Sequence, residues 1–146
     1  MIKKSLITFF VLAVLIQFIP IDKTNPKVDE SLALHTDEDV MRVLKKSCYD
    51  CHSNETKWSV YADIAPLSFG VSMHVKDGRK ALNFSNWKNI PADIKEARLK
   101  RFPNVLKLDM MPPSSYTMLH SDKKLSKGEK LLLVKWSKAE LGEVVE

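Results

Sequence analysis

Two cysteines and a histidine in the order C-x-x-C-H constrain this chain more than anything else in it. They stand in "KKSCYDCHSNETKW", Lys45 to Trp58, and Cys48 and Cys51 are the only cysteines among 146 residues. Three chemistries use such a pair. A disulfide between them would close a loop too short to restrict much of the unfolded chain. A redox-active C-x-x-C usually sits in a βαβ setting, whereas "TDEDVMRVLKKS" ahead of Cys48 reads as a helix. A structural zinc site asks for two further ligands at short spacing, and His35, His74 and His120 stand apart from one another. Covalent haem attachment uses every member of the motif. Two thiols add to two vinyl groups, the two-residue gap lets both reach them, and His52 supplies an axial nitrogen to iron. That is the leading reading, with one haem c as cofactor.

The opposite face of the iron needs a second ligand or stays open. In "KLDMMPPSSYTMLH", Met110 and Met111 precede Pro112 and Pro113. Proline biases the residue before it toward extended backbone, so Met111 is chosen as the distal ligand. Met41, Met73, Met110 and Met118 are read as core filler. His74, in "GVSMHVKDGRKALNFSNW", is the alternative distal ligand; His35 and His120 are read as surface residues. Methionine ligation would raise the reduction potential relative to two histidines.

The N-terminus carries an address. Lys3 and Lys4 precede an almost unbroken apolar run from Leu6 to Ile21. A basic region followed by an apolar one is the layout of a secretory signal. No A-x-A pattern follows the run, so residues 1–21 are read as an uncleaved signal anchor, with a cleaved signal peptide as the alternative. This places the remaining chain in the periplasm, held to the inner membrane, or free in the periplasm after cleavage. Residues 22–35, with Pro26 among polar residues, are read as a tether, and residues 36–146 as the haem-binding domain. The lysines are scattered and not interleaved with aromatics, which argues against nucleic-acid binding.

Low glycine, at four residues, and abundant Leu, Lys and Glu favour helices. Thr36 is placed as the cap of a helix from Asp37 to Lys46. Pro66 opens a second from Leu67 to Lys76, with Gly78 ending it. Pro91 opens a third through Lys100, interrupted near Pro103. The last helix has Ser126 as cap and Glu129 three residues on, a capping box, and ends at Gly142. Leu131, Leu132, Val134, Trp136 and Leu141 supply its apolar surface. The fold class is all-α: a small cytochrome c-like helical domain around one covalently attached haem, after an N-terminal apolar anchor helix.

That order resembles the class I cytochrome c plan, in which the first and last helices pack together. More narrowly, the chain resembles the bacterial haem-binding domain family of small membrane-anchored c-type haem proteins. The matching pieces are "IQFIPIDKTNP", "CYDCHSNETKW", "IAPLSF", "HVKDGRKALNFSNW", "MPPSSYTMLH" and "LSKGEKLLLVKW", from Ile16 to Trp136. His74, Gly78 and Arg79 match the family's HV..GR pattern. The resemblance implies haem binding. By analogy with cytochrome c it also implies a hydrogen bond from His52 to the Pro66 carbonyl. Arg79 and Trp87 are candidates to meet a haem propionate, their other reading being helix-end and core residues.

The function expected is single-electron transfer between redox partner proteins, with no side chain acting as acid or base. The alternative is a haem-based sensor or a small haem peroxidase with an open distal site. A third reading, a thiol–disulfide or metal-binding module, needs no haem.

Overall fold

The computed structural model describes residues 2–143. It contains seven α-helices and no strand among the described residues: α1 Ile2–Leu15, α2 Glu38–Ser47, α3 Tyr49–His52, α4 Leu67–Ala81, α5 Ala92–Lys107, α6 Ser114–Leu119 and α7 Lys127–Glu140. The chain is therefore all-α.

The core forms where α2, α5 and α7 meet the segment after α4. It holds Val40, Val43 and Leu44 from α2, Leu99 and Leu106 from α5, and Leu133 and Trp136 from α7. Phe84 and Trp87, from a 3₁₀ segment expected as loop, are also buried there. Phe84 stacks on Tyr49 with centroids 5.5 Å apart, and Trp87 lies 5.9 Å from Trp136. These rings carry the largest apolar areas in the core. The first and last helices of the domain do pack together, and Lys46 of α2 donates to Glu129 of α7 at 2.5 Å.

Several element ends differ from expectation for identifiable reasons. The capping box of α7 is present: Ser126 Oγ accepts from the Glu129 N–H, and Glu129 Oε2 accepts from the Ser126 N–H. Leu133, not one of the apolar residues expected to face inward, is its fully buried apolar side chain, and Leu131 is exposed. The helix before the cysteines starts at Glu38 with Asp37 at its cap and no side-chain cap bond, so Thr36 does not cap it. α5 continues through Pro103. The ring removes one N–H donor, but Leu99 and Leu106 on either side are buried and hold the helix against α7.

α4 also runs past Gly78 to Ala81, so Gly78 does not end it. This glycine serves close approach. A Cβ there would lie 2.3 Å from the Cys51 carbonyl oxygen and 3.1 Å from Cys51 Cβ. Only a residue without a side chain lets α4 lie this near α3.

The N-terminal segment departs from the expected anchor helix. α1 has 14 residues, and a 3₁₀ turn over Ile16–Phe18 follows it. At 1.5 Å per residue α1 is about 21 Å long, against a hydrocarbon core of about 30 Å. No helix among the described residues is long and apolar enough to cross a membrane.

Residues 22–35, expected as a tether, have no helix or strand but lie along the domain. Leu34 is buried, and its N–H donates to the Phe84 carbonyl at 2.8 Å. The Lys88 N–H donates to the Leu32 carbonyl at 3.0 Å. Arg79 donates to the Thr24 carbonyl and the Asn25 side chain from one side, and to Ser53 O and Thr56 Oγ1 from the other.

Candidate haem site

The helix that carries the motif is one turn long. α3 holds Cys51 and His52, and Cys48 caps it between α2 and α3. Ser53, fully buried, follows it, its Oγ donating to the Tyr49 carbonyl at 2.8 Å. α3 rests on α4 through the Gly78 contact and on Phe84 through Tyr49.

Cys48, Cys51 and His52 line one cavity of about 340 Å³. Both distal candidates, Met111 and His74, line it as well. The sequence separates these five residues by more than 60 positions, and the fold gathers them around one space. The rest of the wall is largely apolar, with Leu82, Phe84, Phe102, Val105 and Leu106.

His52 is held in a definite orientation. Its Nδ1 lies 3.0 Å from the Leu82 carbonyl oxygen. A carbonyl only accepts, so Nδ1 carries the proton and Nε2 keeps a free lone pair. The expected partner was the Pro66 carbonyl; the structure uses Leu82, the residue that ends α4. Burial holds the imidazole below its ordinary pKa, against the backbone hydrogen bonds that raise it. His52 is thus neutral at neutral pH, the form that binds a metal.

The cysteines are free thiols. Burial, with some repulsion from Cys51, pushes Cys48 up to about 12. Burial, with the charge of Asp50, pushes Cys51 up to about 11. A thiol–disulfide catalyst depends on a lowered pKa, and these shifts run the other way. Among the described residues no three His, Cys, Asp or Glu side chains gather as a metal cluster.

The remaining candidates fall into place less uniformly. Arg79 is spent on the clamp between residues 24–25 and the loop after α3, and Trp87 is a core residue; neither lines the cavity. Arg98 and Arg101, which sequence reasoning missed, do line it. They stand three apart on α5 and so share a face. That spacing, beside the buried Leu99 and the half-buried Phe102, is the signal that could have found them.

Met73, Met110 and Met118 are exposed and fill no core; Met41 is half-buried beside the Tyr49 hydroxyl. His120 is not a free surface residue either. Its Nε2 lies 2.8 Å from Tyr61 Oη and 3.1 Å from Ser59 Oγ.

This set of groups suits a haem. Two thiols line an apolar space, and an imidazole with a free Nε2 lines it with them. A thioether and a second imidazole lie elsewhere on the wall, and two guanidinium groups offer partners for carboxylates. Nothing among curated proteins or solved structures matches the chain. The family comparison does: residues 11–139 match the haem-binding domain, and the chain, over most of its length, belongs to that family.

Proposed function

We propose that this haem-binding protein is a c-type carrier of single electrons. The observation that carries the reading is the cavity itself, with Cys48, Cys51 and a neutral His52 on its wall together with Met111. A bound haem supplies a reversible one-electron change at its iron. Cys48 and Cys51 hold it through thioethers. His52 offers Nε2 to the iron, and the Leu82 carbonyl fixes the ring so that Nε2 stays aimed. Met111 offers its sulfur from the distal side. Arg98 and Arg101 neutralise the propionates by charge-assisted hydrogen bonds. The apolar wall keeps water from the iron and so helps set the potential.

The proposal includes a place in the cell: the periplasmic face of the inner membrane, or the periplasm itself if the N-terminal segment is removed. Phe9, Phe10, Leu6 and Ile7 of α1 are exposed, and such a contiguous apolar surface marks a contact with lipid or protein. Gln17 exchanges two hydrogen bonds with the backbone of Ala65. This brings the end of that apolar stretch beside the exposed Ile64 and Leu67. Partners would be redox proteins; the basic excess suits an acidic one, with association slowing as salt rises.

The test is an optical spectrum and an intact mass of protein made in a periplasm that attaches haem. One haem retained after denaturation is expected, and its loss from the Cys48→Ala, Cys51→Ala double variant. Haem that extracts freely from the wild type overturns covalent attachment. The ferric protein should show the weak long-wavelength band of sulfur ligation, absent in Met111→Ala. A low-spin spectrum of two nitrogen ligands moves the assignment to His74, which reaches the same cavity from α4. A high-spin spectrum means an open site and favours the sensor or peroxidase reading.

A further inference from the structure

The residue between the two cysteines that carries a charge is tied to the segment that carries Met111. Asp50 Oδ2 accepts from Tyr116 Oη at 2.5 Å, and Oδ1 accepts from the Lys57 N–H at 3.0 Å. The Lys123 ammonium lies 3.9 Å from Oδ2. Tyr116 stands in the first turn of α6, its N–H donating to the Pro113 carbonyl at 3.0 Å. It is thus rigidly connected to Met111-Pro112-Pro113. The Tyr116 ring lies 4.6 Å from the His120 ring, and His120 in turn meets Ser59 and Tyr61.

Little else holds this segment. α6 buries none of its residues, and Met110, Met111, Met118 and Leu119 are all exposed. At its other end Asp109 pairs with Lys130 of α7. The segment is therefore fastened by polar bonds rather than by an apolar face. Asp50 and Tyr116 both line the cavity, so their bond is part of its wall.

Resting on the haem reading above, we propose that Asp50 and Tyr116 are positioning residues. Their hydrogen bond latches the 109–120 segment to the C-x-x-C-H helix, seats Met111 over the cavity, and controls the entry of small ligands to the iron. A charge-assisted bond of this kind is among the stronger single interactions a segment can have. Removing it raises the population of the open segment, and entry that waits on opening quickens in proportion. Burial and the Asp50 contact hold Tyr116 far above its ordinary pKa, so the phenol stays a donor.

The experiment compares the full-length wild type with Tyr116→Phe, which keeps the ring and removes the hydroxyl. Two quantities are read. One is the association rate of imidazole with the ferric protein. The other is amide hydrogen exchange over residues 110–119, with residues 92–106 as the internal reference. About tenfold faster imidazole binding is expected, with exchange faster in 110–119 only. A role confined to overall stability would speed exchange in both regions, and that result overturns the latch. Unchanged exchange in 110–119 also overturns it. Faster exchange with an unchanged imidazole rate overturns control of entry. Should Tyr116→Phe not fold, Asp50→Asn, which keeps the size and removes the charge, carries the same expectations. A wild type that takes up no haem sinks the functional reading, while exchange in 110–119 still reports on the latch.

Discussion

The two sides of the cavity are built by different means. On the His52 side, α3 is pressed between α4 and the ring cluster: Gly78 touches Cys51, Tyr49 stacks on Phe84, and Phe84 lies 6.1 Å from the His52 ring. On the Met111 side, methionines and a leucine stand in solvent, and hydrogen bonds do the fastening. Close packing has few alternative arrangements, whereas polar bonds at a surface exchange readily with water. One side is made to stay fixed, and the other to be adjustable. Under the ligation proposed above that division is sensible: the bond from His52 would anchor, and the one from Met111 would tune potential and access.

Truncation should separate the two sides most sharply. Phe84 is fully buried and touches the ring cluster on several sides. Phe84→Ala is expected to cost about 3–5 kcal/mol, read from the denaturant midpoint. The same truncation on the other side, Met110→Ala, removes an exposed side chain and should stay within about 0.5 kcal/mol. Equal losses would break the comparison.

A second pair of substitutions lies on one helix. Gly78→Ala drives a methyl group into the Cys51 backbone, which has no flexible end to give way. It should cost about 1–3 kcal/mol as overpacking and weaken haem binding by shifting α3. Gly70, two turns earlier on α4, has nothing within 4 Å of a built Cβ. Gly70→Ala should stabilise by up to about 1 kcal/mol through helix propensity. Opposite signs within α4 would place the constraint at the α3 contact; the same sign at both positions would assign it to propensity alone.

What the sequence revealed follows from what residue types can signal. C-x-x-C-H, the Met-Pro-Pro run and the Ser126–Glu129 box are side-chain patterns; the fold brings the first two to one cavity and sets the third at the start of α7. The partner of His52 is a backbone carbonyl, and every residue has one, so Leu82 had no signature. Gly78 reads as a helix stop because glycine usually is one; the neighbour that requires it is 27 positions away. Pro103 reads as an interruption because its compensation lies in the burial of Leu99 and Leu106. Arg79 fits a propionate by chemistry, but most of its donors are used by Ser53, Thr24, Asn25 and Thr56. Local rules carried the motif and the final helix; tertiary contacts decided the remainder.

The smallest expected effect compares two polar bonds. Lys46–Glu129 joins α2 to α7, and Asp50–Tyr116 joins α3 to the Met111 segment. The first backs two helices already packed through buried apolar residues of both, so it has little left to hold. Its hydrogen bond from Lys46, and the backbone N–H of Ser126, lower the Glu129 pKa. A carboxyl group lowered on folding adds stability above its unfolded value, and that stability is lost as pH falls through the folded value. Glu129→Gln should therefore cost less than about 1 kcal/mol at neutral pH, as partly exposed pairs do. The difference from the wild type should shrink toward zero in acid, and imidazole should bind at the wild-type rate. Tyr116→Phe removes a bond of similar length from a segment with no buried face, and there the expected change is in access. If Glu129→Gln also quickened imidazole binding, the α2–α7 crossing would belong with the adjustable side, and the division of the cavity would have to be redrawn.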